Sequence, residues 1–202
     1  MIFMEMNIFG TWDTSGVVVS DLGLKNYINL RPAMVPRSGG RHARQQFHKS
    51  NMTIVERLMN KLQVPGHRSK KHIITSGKCV GKTEIHYKIV KEAFERIETQ
   101  AKKNPVEVLV RAIENSALRE EITQYQVGGM MVRRAVVTSP QRRVDLALSN
   151  IVQTAYRRSF GKKDSIVDSL VNEILGAYAN DASKSEAVKE KERIERESEG
   201  AR

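Results

Sequence analysis

Two arginine pairs, Arg133-Arg134 and Arg142-Arg143, are the side chains whose type and spacing best suit a chemical task. A guanidinium offers a planar fork of donors that matches a phosphate or carboxylate, so paired arginines point to an oxyanion partner rather than to bond making. The pairs bracket Ser139-Pro140, which reads as the N-cap and first residue of a helix. Arg142 and Arg143 then sit in the first helical turn, where the helix dipole disfavours each by up to roughly 1 kcal/mol. A polyanion would remove that conflict, so the stretch is expected to reach into RNA.

Other constellations are weaker. Ser76-Gly-Lys-Cys-Val-Gly-Lys-Thr83 imitates a phosphate-binding loop, which needs a glycine, four residues, then Gly-Lys-Ser/Thr. Only three residues separate Gly77 from Gly81, and the preceding Lys70-Lys71-His72-Ile73-Ile74 is a poor buried strand. The expected reading is a basic loop opening a helix, with Lys82 near a backbone phosphate. None of His42, His48, His67, His72 and His86 falls in a zinc-ligand spacing, and no nucleophile–base or paired-carboxylate arrangement carries a local signature. The chain is therefore expected to hold no metal and no cofactor and not to be an enzyme.

The elements that must position the arginines follow from periodicity. Residues 121–138 read as a β-hairpin: strand-forming residues run on both sides of Gly128-Gly129, which supplies the positive φ of a tight turn. Around it lie helical patterns. Thr53 and Glu56 form a capping box before Ile54, Val55, Leu58, Met59 and Leu62. Thr83 opens a helix burying Ile85, Ile89, Ala93, Phe94 and Ile97; Asn104-Pro105 opens one burying Val106, Leu109, Ile113 and Ala117. The helix from Pro140 ends near Phe160-Gly161, and Asp164 caps the next, with Ile166, Leu170, Ile174 and Tyr178 inward. Ser183 with Glu186 suggests a last, charged helix projecting from the body. The expected fold class is mainly α: a bundle of about six helices with a protruding β-hairpin arm and a basic N-terminal extension. The expected organisation is an N-terminal arm and extension over 1–49, a helical domain over 50–182 and a charged helix over 183–202.

Charge supports an anionic partner. The net charge is +11 over 202 residues and the pI is near 9.9. The excess is concentrated: residues 37–82 carry +10 and residues 119–163 carry +6, while 164–202 carry −4. Two basic blocks of one sign are a nucleic-acid footprint more than a solubilising surface. Aromatic residues make up 5%, which argues against a base-stacking platform and for recognition through phosphates and shape. A helix-turn-helix DNA regulator is a competing reading, but the basic residues fall in a tail, loops and the hairpin rather than on a compact recognition helix. The single cysteine, Cys79, fits a reducing cytosol, and no apolar run approaches the ~20 residues of a membrane helix. Met1 to Phe9 makes a poor signal peptide.

Several segments together resemble the small-subunit ribosomal protein seven family in its archaeal and eukaryotic form. They are Gly39-Gly40-Arg41-His42-Ala43-Arg44, Ile54-Val55-Glu56-Arg57-Leu58-Met59-Asn60, Gly81-Lys82-Thr83 with Tyr87 to Phe94, Asn104-Pro105 with Val108 to Asn115, and Val132-Arg133-Arg134 with Ser139 to Val144. The ordered matches span roughly residues 25 to 180. The resemblance implies a helical body with a hairpin between its third and fourth helices. It implies binding to the 3′ major domain of small-subunit rRNA, early nucleation of head assembly, and a place near the exit site, its tRNA and the mRNA exit path, beside ribosomal protein eleven, in cytoplasmic ribosomes. It also implies RNA contact by Arg41, His42, Arg44, Lys82, Arg133, Arg134, Arg142 and Arg143. Charge alone adds Arg37, Lys49, Arg68, Lys70, Lys71 and Lys78 to the RNA-binding set.

Overall fold

The structure is a computed structural model and describes residues 6–68, 71–72 and 80–202; of residues 67, 68, 71 and 72 it describes the backbone. Among the described residues there are six α-helices: α1 (Ile54–Leu62), α2 (Thr83–Ala101), α3 (Pro105–Ser116), α4 (Pro140–Ser159), α5 (Ile166–Tyr178) and α6 (Glu186–Glu199). Strands β1 (His67–Arg68) and β2 (Lys71–His72) form a two-residue antiparallel ladder, and β3 (Glu120–Val127) pairs with β4 (Met130–Val137). The small ladder adds strand structure that the sequence does not announce, since two-residue strands leave no alternation to read.

The helices start where local chemistry can satisfy their free N–H groups. Thr53 accepts from the Glu56 N–H, and Asn104 accepts from Val106 ahead of Pro105. The Thr53 box is half formed, because the Glu56 carboxylate turns away and accepts from the Ser38 N–H (2.7 Å) and hydroxyl (2.6 Å). Two expected caps move. Ser165, not Asp164, caps α5, and Ser185, not Ser183, caps α6. Ser183 is already engaged by Asp181, which accepts from both its N–H and its hydroxyl in the turn ahead. Ser139 occupies the N-cap of α4 without a side-chain cap bond.

α5 is the centre of the bundle, packed against α2, α3, α4 and α6. Its Val167, Leu170, Val171, Ile174 and Ala177 are buried. Gly176 lets the α5–α6 turn close: an added Cβ would stand 3.1 Å from backbone atoms of Lys184 and Ser185. Below that turn the fully buried Glu173 accepts from the Ser185 hydroxyl (2.7 Å) and the Ala187 N–H (2.9 Å), while Arg158 stands 3.2 Å from its other oxygen. On α2 the buried face is His86, Val90, Ala93, Phe94 and Ile97, whereas Ile85 is exposed.

The N-terminal segment is irregular, as Pro32 and Pro36 and the turn-forming pairs Ser15-Gly16 and Leu22-Gly23 favour, but it is no free arm. Ile8, Phe9, Trp12, Val17, Val19, Leu24 and Ile28 belong to the main core. Phe9 packs edge-on against Trp12, Tyr87 and Phe94, and the Trp12 indole donates to Glu98 at 3.0 Å. Four of the sparse aromatics, Phe9, Trp12, Tyr87 and Phe94, thus gather at the core, where edge-to-face pairs add to burial, while Phe47, Tyr125 and Phe160 are exposed. The apolar residues of this segment follow no fixed period, so their burial is not visible as amphipathicity.

The hairpin is as read. Gly128 and Gly129 have φ of 56° and 86°, and the register pairs Val127 with Met130 and Glu120 with Val137. Its tip is exposed; at the root Glu120, Glu121 and Ile122 of β3 are half-buried, while Val136 and Val137 of β4 stay exposed. α6 does not project: Ala187, Val188 and Ser198 are buried, and the helix lies against α3, α4, α5 and the hairpin root. Three contacts clip that root. The Ala201 carbonyl accepts from the Ala135 N–H, the Arg202 Nη2 donates to both Glu120 oxygens at 2.7 Å, and Glu195 accepts from the Arg119 N–H.

Candidate nucleic-acid interface

Arg142 and Arg143 are neighbours on α4, so roughly 100° of helix rotation separates them, and they meet different partners. Arg142 forks onto Glu121 of β3, Nε at 2.6 Å and Nη2 at 2.8 Å, and this hydrogen bond raises its pKa. Arg143 is mostly buried; it donates to the Leu118 carbonyl (2.9 Å) and pairs with Asp21 (2.7 Å). The unfavourable first turn therefore finds its anions within the chain. The expectation that a polyanion compensates the first turn is not required by the fold, since Glu121 and Asp21 do so. The Asp21 partner lies 122 residues away in sequence, beyond any local pattern.

A denser cluster forms between α1 and α4, around Asp145. Lys49 and Arg57 both pair with Asp145, and Lys61 lines the same cleft of about 470 Å³. Burial alone would raise the Asp145 pKa, but the Lys49 hydrogen bond and the charges of Arg57, Lys49 and Lys61 hold it below the usual carboxylate value. Burial lowers the pKa of Arg57 and of Lys61, with Asp145 opposing both shifts. One carboxylate against three cations leaves a local positive surplus that a phosphate oxygen could meet. Arg57 and Lys61 were not expected as site residues. Their spacing of one helical turn on α1 is the signal that could have found them, but Arg57 lies inside an apolar run and reads as part of the capping pattern.

The basic segment before α1 folds into two short 3-10 turns, Arg41–Ala43 and His48–Asn51, with no buried residue in either. Arg37, Arg41 and Arg44 are exposed, and His42 is half-buried. The segment is nonetheless tied to the body through Ser38–Glu56, Lys49–Asp145 and Ser50–Gln141. Lys82 is exposed at the N-cap of α2, and the Thr83 hydroxyl accepts from Gln63 (3.1 Å). Lys70 and Lys78, with the first half of the phosphate-loop-like stretch, lie outside the described residues; Arg68 and Lys71 are described as a backbone pair of the β1–β2 ladder.

On the hairpin, Arg133 pairs across to Gln124 and Arg134 to Thr123. Side chains alternate along a strand, so the two arginines face opposite sides of the ribbon. Both side chains are exposed. The structure thus brings Lys49 together with the α1–α4 cluster, and Arg142 is close enough to feel the Asp145 charge. It sends Arg143 to the other side of α4. Among the described residues, no group of three or more histidine, cysteine or acidic side chains could hold a metal ion, and no helix is long and apolar enough to cross a membrane.

The chain is similar to known proteins over nearly its whole length. The chain is 47% identical to the small ribosomal subunit protein uS7 of Nanoarchaeum equitans over 199 residues, covering 98% of this chain and 100% of that protein. It is 47% identical to the uS7 of Methanothrix thermoacetophila over 197 residues, with 98% and 100% covered. It is 46% identical to that of Archaeoglobus fulgidus over 198 residues, with 98% and 96% covered. The sequence pattern of one family, described as ribosomal protein S7p/S5e, matches residues 24–202, and the chain belongs to that family.

Proposed function

We propose that this chain is a structural, non-catalytic protein of the small ribosomal subunit that binds rRNA through the α1–α4 cleft, the basic segment before α1 and the hairpin. The observation that carries the reading is near end-to-end similarity to uS7 proteins, joined to the cationic cluster around Asp145. In this reading Lys49 and Lys61 offer phosphate contacts from the body, while the buried Arg57 is held between the Tyr27 carbonyl and Asp145 beneath them. Arg37, Arg41, His42 and Arg44 wrap the RNA from the adjoining segment, and Lys82 holds a phosphate at the α2 N-terminus. Arg133, Arg134 and Arg142 extend the contact along the arm. Arg143 serves the fold. The rRNA target is the 3′ major domain, binding nucleates head assembly, and the hairpin and α6 come to lie near the exit site and mRNA path, beside ribosomal protein eleven. The residue-level and domain-level parts of this reading rest on the resemblance and on the geometry of exposed cations.

Filter binding tests it, comparing a 3′ major-domain transcript with an unrelated structured RNA of equal length at two salt concentrations. Preference for the rRNA should survive the higher salt. Lys61→Ala should reduce the slope of log affinity against log salt by about 1, as loss of one phosphate contact does. Equal binding of both RNAs at both salts would overturn the ribosomal reading, and an unchanged slope for a folded Lys61→Ala would remove the cleft from the interface.

A further inference from the structure

A second cleft, of about 680 Å³, opens on the Arg143 side of α4, between the N-terminal segment, the hairpin root and α6. Four cations line it, Arg111, Arg119, Arg143 and Lys191, against the carboxylates of Asp21 and Glu114. Both carboxylates are already engaged within the chain. Glu114 accepts from the Ser20 N–H (2.6 Å), the Asp21 N–H (2.9 Å) and Arg111; Asp21 accepts from Arg143 and the Gly23 N–H (2.8 Å). Lys191 is turned to the Asn115 carbonyl at 2.9 Å.

Arg119 stands apart from these. Its backbone is held on both sides, the N–H by Glu195 and the carbonyl by the Thr138 N–H. Its guanidinium is exposed, feels the charge of Asp21, and hydrogen-bonds no described residue. Thr138, only 2% exposed, lines the same cleft, and its hydroxyl has no hydrogen-bond partner. On the rim, Leu22 and Val137 are 82% and 84% exposed, the two most exposed large apolar side chains among the described residues.

We infer that this cleft docks an acidic segment of a second protein, whose carboxylate pairs with Arg119 above the unpartnered Thr138 hydroxyl and whose aliphatic side chains cover Leu22 and Val137. A phosphate would satisfy Arg119 as well as a carboxylate does. The rim decides between them, because the charged, polar surface of an RNA backbone is poorly suited to bury Leu22 and Val137, whereas a peptide with alternating acidic and apolar residues matches floor and rim together. The fixed backbone of Arg119 also suits docking, since little main-chain order remains to be imposed on binding.

The inference rests on the reading that the chain works inside a ribosomal particle, and the experiment separates the two. Small subunits carrying Leu22→p-benzoylphenylalanine, or Val137→p-benzoylphenylalanine, are purified and irradiated, and the adducts are identified by mass spectrometry. Absence of the chain from the subunits would sink the ribosomal reading, and this inference with it. Given incorporation, the expected adduct is a peptide containing Asp or Glu beside aliphatic residues. Its yield should fall roughly fivefold or more in the same subunits when Arg119→Glu is added. An adduct to rRNA, no macromolecular adduct, or a protein adduct whose yield ignores Arg119→Glu would each overturn the docking inference while leaving the ribosomal reading in place.

Discussion

Removing the Glu173 carboxylate should be among the most damaging single changes in the body of this protein. Glu173 is fully buried on α5, beneath the N-terminus of α6. One oxygen accepts from the Ser185 hydroxyl and the Ala187 N–H, so it caps α6 together with Ser185; the other faces Arg158 at 3.2 Å. Glu173→Ala leaves a buried hydroxyl and a buried N–H without their acceptor and deprives Arg158 of its charge partner. Breaking such a buried pair costs about 3–5 kcal/mol. Arg158 is about a third exposed, at 35%, so water screens its share and the lower half of that range applies. For a chain of this size each kcal/mol moves the midpoint by ~2–4 °C, so Tm should fall by on the order of 10 °C. Glu173→Gln keeps one acceptor oxygen but loses the charge, and should cost about 1–2 kcal/mol. The assay is urea denaturation followed by circular dichroism, with Arg158→Ala and the double variant completing a cycle. A loss below about 1 kcal/mol for Glu173→Ala, or equal losses for Ala and Gln, would refute the reasoning.

Two further outcomes follow from the candidate interface. Because Arg133 and Arg134 face opposite sides of the ribbon, one RNA strand lying along a single face should feel one of them more. Filter binding of Arg133→Ala and Arg134→Ala should give unequal losses, the larger about 1–3 kcal/mol if that arginine makes a forked contact; equal losses would mean that the RNA encloses the arm. Asp145 has its pKa lowered in the folded state, so its contribution is present above the unfolded value near 3.9 and is lost as pH falls through the folded value. Stability measured from pH 5 down to pH 2 should therefore fall less steeply in Asp145→Asn than in the parent, from a lower starting point; parallel curves would show that the cluster does not hold Asp145 ionised.

What the sequence made legible was local. The Gly128-Gly129 turn, the Asn104-Pro105 start and the Phe160-Gly161 stop each depend on a few adjacent residues, and each stands where it was read. What stayed hidden depends on distant partners. Asp21 answers Arg143, Asp145 gathers Lys49, Arg57 and Lys61, and Glu173 draws the α6 cap to Ser185. The charged composition of α6 suggested a solvated, projecting helix, yet Ala187 and Val188 suffice to seat its first turn against the bundle. The N-terminal segment was hidden for a different reason, since packing an irregular chain needs apolar side chains at suitable places in space but no period in sequence.

The clipped root of the hairpin makes the arm a cantilever. Beyond the clip at Ala135, opposite Ile122, about six residues in each strand, at about 3.4 Å per residue, carry the tip roughly 20 Å from its support. Over that length a tilt of only about 5° at the root displaces Gly128 and Gly129 by about 2 Å. The stiffness of the tip is thus set far from it, by Ala201, Arg202 and Glu195 holding Ala135, Glu120 and Arg119. A change in α6 that touches nothing beyond the root would be felt at the far end, as loss of aim rather than loss of contact.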